Sequence, residues 1–155
     1  MAQNNIWNEF DNAIDTKALQ DEIKDAAENG GGNYKEVPVG KYEVAVEKME
    51  LIKSKSKGEP MVSIWFKVVG KDDPYKGSLI FMNQVITQGF QIHIVNELLR
   101  AMDTGLDIHF DTYSQYGNLL MDVHEAIDKK VEFALDYSEN SKGYKVFEIE
   151  EVFDV

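Results

Sequence analysis

Three observations predict a mainly β domain with helices, in chain order β-β-β-α-α-β-β. Hydrophobic alternation of period two begins after Pro38, two stretches of helical period lie between Thr87 and Ile127, and alternation returns from Val131 to Phe153. With 155 residues and 43% hydrophobic content, the chain can fill one core but not two full-sized domains.

Residues 1–36 read as an arm ahead of a domain spanning 37–155. Asp15 or Thr16 can cap a helix whose stripe is Leu19, Ile23 and Ala26 or Ala27, and Asn29-Gly30-Gly31-Gly32-Asn33 ends it in a joint. Trp7, Phe10 and Ile14 are expected to anchor this arm. The glycine run follows a helix and precedes a strand, the reverse of a phosphate loop, and it lacks the lysine-serine ending.

In the first strand Tyr42, Val44 and Val46 alternate with polar residues. The phase then slips to Met49 and Leu51, as an extra residue near Glu47-Lys48 would cause in a bulged, bent strand. Lys53-Ser54-Lys55-Ser56-Lys57-Gly58 makes the first loop. Pro60 opens a second strand, with Val62, Ile64, Phe66 and Val68 on one face and Met61, Ser63, Trp65 and Lys67 on the other.

Gly70-Lys71-Asp72-Asp73-Pro74 turns the chain into a third strand over Ser78 to Ile86, whose inward face the pattern leaves open. A helix starting at Thr87 or Gln88 aligns Phe90, Ile94, Val95, Leu98, Leu99 and Met102 and ends near Gly105. A second runs from Tyr113 to Ile127 through Tyr116, Leu119, Leu120 and Val123. Val131, Phe133, Leu135 and Tyr137 then alternate up to the turn Ser138-Glu139-Asn140-Ser141-Lys142-Gly143, and a last strand covers Tyr144 to Phe153. The acids of that end, Glu148, Glu150, Glu151 and Asp154, alternate with Phe147, Ile149 and Val152 or Phe153, which favours a strand over a disordered acidic tail. Three strands, a helical interruption and two closing strands is the order of an OB-fold, a five-stranded, partly open Greek-key barrel.

Charge is segregated along the chain. The whole carries −12, yet residues 40–82 hold eight basic and six acidic side chains. A positive segment in an acidic protein points to an anionic partner. Single-strand binding needs cations for phosphates and aromatic faces for bases. Lys53, Lys55 and Lys57 on the first loop, with Lys142 and Lys145 on the last hairpin, supply the cations. Trp65 with Lys67, Tyr75 with Lys76, Phe81 and Tyr144 supply the interleaved rings. The competing reading makes the lysines a solvated hairpin tip and Trp65 a packing residue. Arg100 is the only arginine, which disfavours guanine reading in duplex DNA and favours tolerant single-strand binding.

No cysteine is present, so disulfides, thiolate metal sites and cysteine nucleophiles are excluded. His93, His109 and His124 are well separated, and Asp107-Ile108-His109-Phe110-Asp111 is the nearest approach to a ligand cluster, read as an ordinary polar connector. No nucleophile elbow, metalloprotease motif or carboxylate dyad appears, so neither enzyme activity nor a metal or cofactor is expected. The N-terminus lacks a basic region before an apolar run, and no stretch approaches the roughly 18 apolar residues of a membrane span. Export and membrane insertion are therefore not expected.

The runs Val37-Pro38-Val39-Gly40-Lys41-Tyr42-Glu43-Val44, Lys53 to Met61, and Tyr75-Lys76-Gly77 before Phe81-Met82-Asn83 resemble small phage and prophage proteins of a domain-of-unknown-function family. The similarity extends from Phe10-Asp11 to the Glu-Val-Phe ending. That family often accompanies phage replication and recombination genes. The resemblance implies single-stranded DNA binding in the cytoplasm of a bacterial host, alongside phage or host replication and recombination proteins. The alternative is a non-enzymatic protein–protein interaction module of such a complex. Homo-oligomerisation is left open.

Overall fold

The computed structural model describes residues 17–21 and 36–155. The chain divides into two compact units, residues 1–35 and 36–155. In the first, residues 17–21 are helical and Leu19 is exposed. The expected cap at Asp15 or Thr16, the anchors Trp7, Phe10 and Ile14, and the glycine run lie outside the described residues.

The second unit contains β1 (Gly40–Lys53), β2 (Pro60–Val68), β3 (Leu79–Val85), α1 (Gly89–Ala101), α2 (Tyr113–Ile127), β4 (Val131–Glu139) and β5 (Lys145–Asp154). The strands form one antiparallel sheet in the order β3-β2-β1-β4-β5. Strands β1 to β3 follow one another as hairpins, and β4 returns beside β1 through the two helices, which is a Greek-key arrangement. The expected barrel is not closed: β3 and β5 remain edges of an open sheet, and α1 packs against both.

The bulge expected near Glu47-Lys48 is present. Val46 opposes Phe66 and Lys48 opposes Trp65, so Glu47 is the extra residue. Side chains of Val44, Val46 and Met49 therefore all reach the core despite the change of parity. A second bulge between Ala134 and Leu135 places Glu150 opposite no β4 residue. Curvature brings the inner face of β2 to β5: the Phe66 ring stacks on Phe147 at 6.0 Å, and Phe147 stacks on Tyr137 at 5.3 Å. Val62, Ile64, Phe66 and Val68 are fully buried, as their alternation requires. In β3 the inward side chains are Ile80 and Met82, with Leu79 also buried.

Helices α1 and α2 both start with side-chain caps. Gln91 Oε1 accepts from the backbone N–H of Gln88 at 3.0 Å, and Thr112 Oγ1 accepts from the N–H of Gln115 at 3.1 Å while Gln115 Oε1 accepts from that of Asp111 at 2.8 Å. Helix α2 packs on β1, where the bare Cα of Gly117 faces the Leu51 side chain. Tyr116 is fully buried and donates to Asn96 Oδ1 at 2.6 Å, tying α2 to α1.

One part of the expected apolar stripe faces solvent. Val95, Leu98, Leu99 and Met102 are buried, but Phe90 is 62% and Ile94 47% exposed. At about 100° per residue these two fall roughly 90–130° from the core-facing line, so they share an apolar flank of α1 and not its buried face. Strand β4 continues to Glu139, so Tyr144 belongs to the turn and not to β5.

Candidate nucleic-acid interface

The alternation of β2 that buries Phe66 necessarily turns Trp65 to the opposite, outer face of the sheet. There it sits in one cross-strand row, with Lys48 of β1 on one side and Phe81 of β3 on the other. The Lys48 ammonium lies over the Trp65 ring at 4.5 Å from its centroid, and the Phe81 ring meets Trp65 edge-to-face at 5.2 Å. Trp65 is half-buried and Phe81 is 37% exposed. Lys48 also pairs with Glu50 at 3.2 Å. Lys48 was missed in the sequence. The bulge at Glu47 moves it onto the Trp65 face, so the phase slip carried the signal.

The next row on this face is Glu50, Ser63 and Asn83. Ser63 is 3% exposed and donates its hydroxyl to Asn83 Oδ1 at 2.9 Å. Lys67 lies in the row beyond Trp65, opposite Ala45 and Leu79.

The lysine loop joins the far end of the same two strands. Ser54 is buried and closes it: its N–H donates to the Glu59 carbonyl at 2.7 Å, its carbonyl accepts from Gly58 at 3.0 Å, and its Oγ accepts from the Glu59 N–H at 3.0 Å. Gly58 has φ +66°, a left-handed conformation that favours glycine. Lys53, Lys55 and Lys57 are exposed around this ordered turn. Among the described residues Lys53 and Lys57 make no ion pair.

The remaining sequence candidates fall elsewhere. The β4–β5 turn adjoins the start of β1, where Gly40 opposes Tyr137 and Lys53 opposes Pro60 at the other end. The two basic loops are thus separated by nearly the whole of β1, about 40 Å along the strand at roughly 3.3 Å per residue. Asn140 organises that turn by accepting backbone N–H bonds from Lys142 and Tyr144 at 2.9 and 3.0 Å. Tyr144 is 68% exposed, and Lys142 is exposed. Lys145 is bound to Glu139 at 3.1 Å and lies over the Tyr137 ring, and this hydrogen bond raises its pKa. Tyr75 packs edge-on against Tyr42 at 6.3 Å, in the β2–β3 loop at that same end, with Lys76 exposed beside it.

The Asp107–Asp111 connector is a polar brace. His109 Nδ1 lies 3.3 Å from Asp107 Oδ2 and its Nε2 lies 3.1 Å from Asp111 Oδ2. Among the described residues no cluster of three or more His, Asp or Glu side chains is arranged to hold a metal ion. No described helix is long and apolar enough to cross a membrane.

A family model, Protein of unknown function (DUF669), matches residues 22–150. The chain belongs to the DUF669 family. The match takes in β1 to β4, the first part of β5, both helices, the lysine loop and the Trp65 row. No match was found among curated proteins.

Proposed function

We propose that this DUF669 protein binds single-stranded DNA with little sequence preference, as a non-enzymatic component of phage DNA replication or recombination. The observation that carries the reading is Trp65 on the outer face of the sheet, in register with Lys48 and Phe81, with Trp65 and Lys48 on the two strands that the lysine loop connects. Cations that follow a backbone and rings that accept any base are the components of tolerant single-strand binding.

The Greek-key order and the helices inserted before β4 support an OB-like reading of the open sheet. In that reading β2 and β3 form the floor of the groove and the β1–β2 loop one wall. Lys53, Lys55 and Lys57 contact phosphates, with Lys67 nearer the ring. Lys48 sits on the end of a flexible stem, so a base stacking on Trp65 displaces it toward a phosphate. Lys142, Lys145 and Tyr144, with Tyr75 and Lys76, belong to the other end of the sheet. They act on the same strand only if it follows the curve of β1.

Titration of fluorescent oligo-dT against a duplex of equal length, at low and moderate salt, tests the proposal. Binding of the single strand that weakens with salt, and weaker binding of the duplex, is expected. Absence of oligo-dT binding at low salt refutes it, and equal binding of an RNA oligonucleotide would widen the substrate class.

A second reading, a protein–protein interaction module, draws on a different surface. Phe90 and Ile94 expose apolar side chains on successive turns of α1. Pull-down from phage-infected cells that depends on these two residues, without oligonucleotide binding, would favour it.

A further inference from the structure

We infer that Glu50 is a positioning residue of the Trp65 site: it holds Lys48 over the indole as a cap that an incoming base must displace. The inference rests on the single-strand reading above and deepens it, because it names what covers and what opens the stacking ring.

Trp65 is flanked on both sides within its row, by the Lys48 ammonium at 4.5 Å from the ring centroid and by the Phe81 ring at 5.2 Å. Only one of these neighbours leaves easily. Phe81 is a short planar side chain, whereas the Lys48 ammonium rides on a flexible stem and its side chain is 42% exposed.

Glu50 decides where that ammonium rests. The bulge at Glu47 puts Lys48 and Glu50 together on the outer face, two residues apart on β1 and so about 7 Å from each other along the strand. The Glu50 carboxylate meets the ammonium at 3.2 Å, and one cation therefore bridges a carboxylate and a ring. The displaced cation has somewhere to go. When a base stacks in its place, Lys48 trades the ring and Glu50 for a phosphate, so a ligand carrying both base and phosphate opens the site. Contacts of this exposed kind are weak, and the cap lowers affinity by about 2–5-fold without blocking the ring.

The experiment titrates oligo-dT against wild type, Glu50→Gln, Lys48→Met and the double variant, and follows the Lys48 methylenes by NMR, where the Trp65 ring current displaces their resonances while the cap is closed. Removing the Glu50 charge strengthens binding in any background, so the difference between backgrounds is the informative quantity. Glu50→Gln is expected to raise affinity about threefold more in wild type than in Lys48→Met. Lys48→Met should lower the slope of log affinity against log salt by about 0.7. The Lys48 resonances should be ring-shifted in free wild type, less so in Glu50→Gln, and unshifted once oligo-dT is bound. An equal effect of Glu50→Gln in both backgrounds, a salt slope unchanged by Lys48→Met, or Lys48 resonances that are unshifted in the free protein or stay shifted in the complex, overturns the inference while single-strand binding stands. Failure of wild type to bind oligo-dT overturns the parent reading, and the inference with it.

Discussion

The two halves of the sheet share β1 and one core, yet the lysines at their two ends meet different partners. In the half made by β4, β5 and the start of β1, Lys41 and Lys145 are neutralised on the protein. Lys41 pairs with Glu150 at 3.1 Å and Lys145 with Glu139 at 3.1 Å, and these hydrogen bonds raise both lysine pKa values. At the β1–β2 end Lys53 and Lys57 project from a turn closed by backbone and serine contacts, with no carboxylate partner among the described residues. Basic residues are thus not equivalent cations. Those already paired must give up a carboxylate before they can meet a phosphate, and exposed pairs of this kind are themselves weak.

The largest expected effect comes from breaking what the halves share. Phe66 is fully buried and its ring stacks on Phe147 across the curved sheet. Phe66→Ala should destabilise the protein by about 3–5 kcal/mol in urea unfolding. A much smaller loss would mean that the two halves pack independently.

Trp65→Ala separates binding from folding. The ring is half-buried on the outer face against Lys48 and Phe81, so some stability is lost, but circular dichroism should show the fold retained while oligo-dT affinity falls by about 1–3 kcal/mol. The matched change in the other half, Tyr144→Ala, should leave affinity within about 0.5 kcal/mol, and a reversed order would move the stacking platform to the β4–β5 turn.

The helices joining the halves should affect stability alone. Burial raises the pKa of the Tyr116 phenol well above its usual value. A raised folded-state pKa gives stability that is complete below the unfolded value near 10 and is lost as pH rises beyond it, because the unfolded chain ionises first. Melting temperature should therefore fall steeply above about pH 10. Tyr116→Phe should flatten that fall and cost about 1 kcal/mol at neutral pH, since Asn96 loses its donor.

The smallest effect has the opposite sign. A Cβ on Gly117 would lie 3.7 Å from Leu51 Cδ2, an ordinary contact, so Gly117→Ala should stabilise α2 by about 0.5–1 kcal/mol in thermal unfolding.

The strands, both helices and the Glu47 bulge were legible because burial on one side writes its period into the sequence. Residues such as Val62 to Val68 leave no other register. What alternation does not encode is how far a sheet curls and whether its edges meet, so the open seam between β3 and β5 could not be read. Side-chain partners across strands were equally hidden. Lys48 and Asn83 became visible only when register set them beside Trp65 and Ser63. The two basic loops looked like one feature in the linear sequence, because nothing there records that β1 holds them apart.

The salt dependence of oligo-dT binding, compared between two sets of alanine substitutions, tests the asymmetry of the halves most directly. Replacing Lys53, Lys55 and Lys57 together should reduce the slope of log affinity against log salt by about 2, at roughly 0.7 per phosphate contact on a single strand, and replacing Lys142 and Lys145 should change it by less than about 0.5. An unchanged slope for the first set, or an equal loss for both, would contradict the assignment of binding to the β1–β3 half.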